Sequence, residues 1–433
     1  MNRQPYTIPP TWWAPQLRSW FVRVSRGYRR RQLRRQQIVD IRIDGQRHLQ
    51  RAIESSRGVL ITPNHSAHFD SNSLYVAGDM LGTPLYFMTA WQVFGMSRPW
   101  ERKALQWMGC FSIDRETTDR RAYKQAVEIL QRGRAPLVIF PEGDIYHVTD
   151  RVTPFREGAA AIALTAARRG ERGVAIVPCG IRFRYLEDPT PKLLELMTRL
   201  EDRMHLRPNR GSLVERIHRL AEVLLATKEV DYLGATQAGR VRDRVRNLAE
   251  AVLHPLEQRH QTARNPGGLA ELSPMPADAG PSLAAPRPAR ARPAVGRAIP
   301  ERVKEVRQKI IAAMNACDET PPVNLDRLQE LAGEMSDLFF VMQLYSYPGD
   351  YLLENPTVER IAETLDKLEE DVLLCDYPGV RGKRCVTVTF GEPIGVDPGK
   401  DSGLNSTQLT QLVETNVQLL LDQVSRDTAA MAS

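Results

Sequence analysis

Three short apolar runs constrain the fold of this chain more than any other feature: GVLITPNH at 58–65, PLVIFPEG at 136–143 and GVAIVPCG at 173–180. Each is too short for an ordinary helix, rich in β-branched residues and broken by proline, which reads as a buried strand running into a turn. Helical patterns separate them. RHLQRAIESS precedes the first, SNSLYVAGDM follows it, and FREGAAAIALTAARR, rich in small residues, lies between the second and third. IVDIRIDG, ending at Gly45, alternates like a strand. Strands alternating with helices predict an α/β fold with a mostly parallel sheet flanked by helices. In such sheets the working residues gather at the carboxyl ends of the strands. His65, Glu142 and Pro178 are all expected at or just past such ends.

The first of these ends reads PNHSAHFD, residues 63–70. Three readings compete for it. His65 and Asp70 form a base and its orienting carboxylate; or His65, His68 and Asp70 ligate a metal; or the stretch is a polar turn before a capped helix. A five-residue separation on a loop entering a helix lets the carboxylate reach back to one imidazole nitrogen. That fixes the tautomer and supports the imidazolium formed when the other nitrogen takes a proton. The metal reading lacks further ligands, since no HExxH helix or cysteine pair accompanies it. No GxSxG elbow occurs, so an acyl-enzyme of the hydrolase type has no support.

Three more clusters follow. In GCFSIDRE, 109–116, a half-apolar segment delivers Asp114 and Arg115, whose guanidinium is a fixed fork of donors suited to phosphate; a surface ion pair is the plainer reading. In VIFPEGDIYH, 138–147, a strand runs into Glu142 and Gly143, the glycine permitting a close or left-handed backbone. In VPCGIRF, 177–183, Pro178 is expected to end a strand, and the segment otherwise reads as core.

In order and spacing, NHxxxxD, GxFxIDR, FPEG followed by FREGAAAIA, and a strand carrying V-P, the chain resembles the glycerolipid acyltransferase family, which includes 1-acylglycerol-3-phosphate and lysophospholipid acyltransferases. The resemblance covers about 36–190 and resumes at VTVTFGEPIGV, since such chains close with a V-x-FGEPI strand and a final helix. It implies transfer of an acyl group from acyl-CoA or acyl-carrier protein to a glycerolipid hydroxyl, with no covalent enzyme intermediate and neither metal nor cofactor. His65 is implied as general base, Asp70 as its orienting group and Arg115 as the holder of the acceptor phosphate. Glu142 and Gly143 are implied to shape the acceptor site and Asn64 to brace the loop. His68 falls where the family pattern varies and is given a local hydrogen-bonding role. One departure stands out. The family commonly reads FPEG-T-R-S, whereas this chain reads FPEG-D-I-Y. The phosphate-gripping arginine is absent and Asp144 is repulsive to a phosphate dianion, at a cost of order 1 kcal/mol or more where partly buried. A zwitterionic lysophospholipid, or a hydroxylated lipid without a phosphomonoester, becomes the expected acceptor, unless Arg151 or Arg156 supplies the missing charge.

The remaining organisation follows composition. Residues 1–36 hold nine Lys and Arg and no acid, leaving 50 basic against 52 acidic residues elsewhere, so the net +7 is local to this arm. Trp13, Leu17, Trp20, Phe21, Val24 and Tyr28 recur at helical spacing, with Arg18, Arg23, Arg26, Arg29 and Arg30 opposite. That pattern predicts an interfacial helix on an anionic membrane surface; packing on the chain's own domain is the alternative, and no nucleic-acid motif follows. No run approaches the ~20 apolar residues of a membrane span, and no signal peptide is evident, so the expected location is peripheral, at the cytoplasmic face. Five dispersed cysteines read as reduced thiols. Residues 37–190 and 384–428 are expected to form one acyltransferase domain. Between them, 191–383 is expected to be a helical insertion holding a Pro-rich linker at 262–300. A different class of function, a catalytically impaired membrane scaffold with the insertion as partner-binding module, remains as the rival reading.

Overall fold

The computed structural model describes residues 10–116, 118–207, 210–260, 298–319, 324–347, 349–375, 377–399 and 403–432. The chain divides into two compact units, one of Met1–Leu224 with Gly349–Ser433 and the other Leu225–Pro348.

The first unit is built on one sheet. Its strands are β1 (Ile38–Asp44), β2 (Gly58–Pro63), β3 (Tyr86–Ala90), β4 (Cys110–Ile113), β5 (Leu137–Val138), β6 (Val174–Tyr185), β7 (Arg384–Phe390) and β8 (Ile394–Val396). They lie in the order β1-β7-β6-β2-β5-β3-β4, with β8 also beside β6. From β6 through β4 every pairing is parallel. β7 runs antiparallel to β6 and parallel to β1, so the expected α/β class holds, with a mixed edge. β2 is buried along its whole length, which is why its sequence is a continuous apolar run. Its side chains alternate between two cores. Val59 and Ile61 join Leu74, Val177 and Val388 on one face. Leu60 joins Ala126, Leu130, Ala163, Ile176 and Val417 on the other. Alanines along the helix Gly158–Arg169 are buried in that second core.

Pro178 does not end its strand. β6 pairs β8 through Val174–Ile176 and β7 from Cys179 onward, so the missing N–H of Pro178 falls where one neighbour gives way to the next. Its carbonyl accepts from Gly391 N at 2.8 Å. A proline is tolerated inside a central strand only at such an interruption of the ladder.

The FGEPI segment supplies β7 and β8, and the closing helix Ser406–Ala432 packs on β6 and on the helix Gly158–Arg169. Thr190–Arg203 and Val358–Leu373, which but for Thr190 fall in the 191–383 expected as insertion, pack on each other in the sheet unit, and the latter also touches β6. The second unit packs Val241–Arg259, Ile299–Glu319 and Leu325–Tyr345 together, with a buried bidentate pair between Arg244 and Glu229. The expected linker 262–300 lies outside the described residues up to 297, and its end already belongs to the helix beginning at Ile299.

The N-terminal arm departs from the single helix its spacing predicts. Trp13 pairs with Ser112 beside β4, its N–H donating to Ser112 Oγ at 2.8 Å and its carbonyl accepting from Ser112 N at 3.0 Å. Its ring stacks on Phe94. Pro15 follows, and a proline holds the residue before it extended. Only then come two short helices, Ser19–Val24 and Arg26–Arg35. Arg29 does not face outward, and Arg26, though partly exposed, is tied back beside it. Both bond Asp79, Arg29 at 2.7 Å with its guanidinium buried over Tyr75. What stays exposed is Trp20 (57%), Val24 (76%) and Tyr28 (62%), with Arg18, Arg23 and Arg30. Among the described residues no helix is long and apolar enough to cross a membrane.

Candidate active site

β2 ends at Pro63, and the chain turns through Asn64–Phe69 before the helix Asp70–Met80. Asn64 is wholly buried. Its amide donates to Ile181 O at 3.0 Å and its oxygen accepts from Ile181 N at 2.7 Å. It splices the loop onto β6 and is out of reach of any substrate, so its bracing position is met while a binding contact is not. Asp70 opens the helix, where the N-terminal dipole favours an anion. Its Oδ2 accepts from Ser66 N at 2.7 Å, from Ala67 N at 2.9 Å and from His65 Nδ1 at 2.9 Å. The carboxylate is fully buried and the imidazole partly exposed. With Nδ1 committed to Asp70, Nε2 is the atom left to take a proton. Phe140 stacks under the His65 ring at 4.1 Å and fixes its tilt.

The metal grouping weighed from the sequence does not assemble. Asp70 Oδ2 is filled by three donors, and His68 turns away from it toward Glu370, at 3.1 Å.

Glu142 lies just beyond β5, but its carboxylate does not line an open site. It is buried, and it accepts from His65 N at 2.7 Å through one oxygen and from Thr153 N at 3.1 Å through the other. It clamps the His65 loop to the segment after FPEG. Burial pushes its acid up to about 8, against the lowering effect of the His65 and Thr153 donors. Gly143 has φ +77°, a left-handed conformation that favours glycine, and the Arg156 guanidinium lies where a Cβ would stand, 2.6 Å from that position.

Arg115 leaves the end of β4 and reaches the same loop. Its Nη1 donates to Gly143 O at 2.6 Å and lies 3.7 Å from Asp144. Its Nε is buried without a hydrogen-bond partner. Burial raises the Asp144 acid, yet Arg115, Arg156 and the Ile145 N–H outweigh it and hold the carboxyl below its ordinary value. Arg156 is thus drawn into the cluster. Arg151 is not, because it faces Asp350 and Glu354 at 3.6 Å.

Sequence reasoning missed the C-terminal contribution to this loop. Glu363 accepts from the Thr149 hydroxyl and amide, and also from Tyr351 Oη. Arg360 bonds Asp150 at 2.9 Å. Gln418 Oε1 accepts from Val152 N, and Glu414 accepts from Phe155 N. Along Val358–Leu373, Asp366, Lys367, Glu369 and Glu370 are all buried. In sequence this stretch reads only as part of the helical insertion, and nothing local marks these charges as buried.

The arrangement can remove a proton at His65 Nε2 and hold an anionic group at Arg115, with both residues tied to one loop system. Residues 40–182 match the family model described as Acyltransferase. No curated protein matches the chain.

Proposed function

We propose that this chain, whose residues 40–182 match the Acyltransferase family model, is an O-acyltransferase that transfers a fatty acyl group directly from a thioester to the hydroxyl of a lysophospholipid at a membrane surface. His65 Nε2 takes the proton of the acceptor hydroxyl. The oxygen attacks the thioester carbonyl carbon, and the tetrahedral intermediate collapses with loss of thiolate. The thiolate takes the proton back from the imidazolium, so ester and free thiol are the products. Asp70 keeps Nδ1 protonated and stabilises the imidazolium. The observation that carries this reading is the 2.9 Å bond from His65 Nδ1 to a carboxylate that two backbone N–H groups hold in place.

Arg115, a guanidinium at the end of β4 beside the FPEG loop and partly exposed, is the acceptor's phosphate contact. Glu142 and Asn64 act as positioning residues. Arg156, held over Gly143, shares the charge of Asp144 and completes the acceptor end. With Asp144 in this group, a zwitterionic lysophospholipid suits the site better than a phosphomonoester. The donor is acyl-CoA or acyl-carrier protein. The exposed Trp20, Val24 and Tyr28 with neighbouring arginines support docking on an anionic, cytoplasm-facing leaflet.

The test is thiol release from acyl-CoA, and from acyl-carrier protein, by the full chain on lipid vesicles with a panel of lysophospholipids. Acceptor-dependent release that His65→Ala abolishes is the expected result. No release with any acceptor and either donor would overturn the proposal in favour of a non-catalytic role.

A further inference from the structure

A second constellation lies outside the His65–Asp70 pair. His68, His147 and Glu370 bring their donor atoms within 4.8 Å of one another. They come from three separate segments: the loop between His65 and Asp70, the loop after FPEG, and the helix Val358–Leu373. Both imidazoles approach the same carboxylate oxygen, His68 Nε2 and His147 Nε2 each at 3.1 Å from Glu370 Oε1. Ligand bonds of about 2.0–2.2 Å at tetrahedral angles give edges of about 3.3–3.5 Å between donor atoms. Two edges of such a polyhedron are therefore already near their final length.

Two features of His147 point to a ligand. Its side chain is buried, yet Nε2 lacks the alignment of a hydrogen bond to that oxygen. Its backbone sits at φ +51°, a left-handed conformation that side-chain-bearing residues adopt at a cost. Strain and an unaligned buried nitrogen at one residue are the marks of a side chain held for a purpose other than packing.

We propose that His68, His147 and Glu370 bind one divalent transition-metal cation of the zinc type, with a fourth position left for water. Two imidazoles and one carboxylate suit a borderline-soft first-row cation, whereas calcium and magnesium take sets of oxygen ligands. The ligands include neither His65 nor Asp70, and the cation takes no part in acyl transfer. It fastens the loop that carries both residues to the helix Val358–Leu373.

The experiment titrates the full-length chain, stripped with chelator, with Zn²⁺ and Co²⁺. It reads bound metal per chain, the visible bands of tetrahedral cobalt and the melting temperature. One equivalent, tetrahedral bands and a melting temperature raised by zinc are expected. His147→Ala and Glu370→Gln should weaken binding by at least about 100-fold, beyond the loss typical of altering only a ligand's supporting group. His218→Ala, on the exposed face of another helix, should leave it unchanged. His147→Cys guards against a variant that merely misfolds, since a retained site must show thiolate-to-cobalt charge transfer. Absence of saturable binding by the wild type, equal affinity in the ligand variants, or no thiolate band in His147→Cys with one cation still bound would overturn the assignment. None of these readouts depends on acyl transfer, so the proposal stands or falls apart from the catalytic one.

Discussion

Asp70→Asn separates charge from geometry at the proposed base. In the wild type, Oδ2 accepts from Ser66 N and Ala67 N as well as from His65 Nδ1. In the variant the amide oxygen must occupy that position, because an NH₂ there would face two N–H donors. The amide nitrogen then takes the place of Oδ1, where the Ser66 hydroxyl at 3.4 Å is able to accept from it. His65 keeps its orientation and tautomer, and only the negative charge is lost. Two unit charges about 4 Å apart at an effective dielectric near 20 interact by about 4 kcal/mol. Each ~1.36 kcal/mol is tenfold in rate. Since the imidazolium is only partly formed in the transition state, kcat should fall by roughly 100- to 1000-fold. The melting temperature should hold within a few degrees. Asp70→Ala should match that kcat loss and also lower stability, because it orphans two buried N–H groups at about 1–3 kcal/mol each. The assay is acceptor-dependent thiol release alongside thermal melting. More than a tenth of wild-type kcat remaining in Asp70→Asn would refute the role of the carboxylate as support for an imidazolium.

Glu142→Gln should remove a pH dependence. The folded acid titrates near 8, above its ordinary 4.5, so the native chain keeps a proton that the unfolded chain releases. Wild-type stability should therefore decline relative to the variant as pH rises from about 4.5 through about 8, and parallel melting curves would contradict this. Asp144→Thr with Ile145→Arg should shift acceptor preference toward lysophosphatidic acid by at least about tenfold in kcat/KM, the scale of one charge contact; an unchanged preference would mean that this pair does not set acceptor choice. Trp20→Ser with Tyr28→Ser should reduce co-sedimentation with anionic vesicles while leaving melting unchanged. Equal pelleting would return the arm to a purely structural role.

The parts of the fold that were legible in the sequence are those whose residues are apolar on both sheet faces. β2 and β6 are buried along most of their length, and their sequences say so. β3, YFMTA, was not legible, because only one of its residues is fully buried and two are polar or small. His65, Asp70 and Arg115 were legible because their partners lie on short, ordered motifs. The arm was misread where a long-range partner decides the outcome. Nothing near Arg29 in sequence indicates that it is buried, because its carboxylate, Asp79, lies 50 residues on. The same holds for Glu370, whose partner His68 lies 302 residues away. Local pattern reports what one residue's neighbours want, and a buried charge is licensed by a neighbour that the pattern does not contain.

That limit bears on how FPEGDIY should be understood. The family match ends at 182, yet the loop after FPEG is held by residues 351–418: Tyr351, Arg360 and Glu363 from one side, Glu414 and Gln418 from the other. Asp144 also does not stand alone as a repulsive charge. Arg115 and Arg156 hold it ionised, and Lys367, pushed down to about 7 by burial, feels it from the helix Val358–Leu373. An incoming phosphate dianion would have to compete with Asp144 for guanidinium groups that are already engaged. On the proposed function, a phosphodiester with its single negative charge would compete less with Asp144 for those guanidinium groups than a dianion would. The FPEGDIY loop and the C-terminal helix are therefore joined by one set of charges, and on the proposed function acceptor preference should respond to substitutions in either.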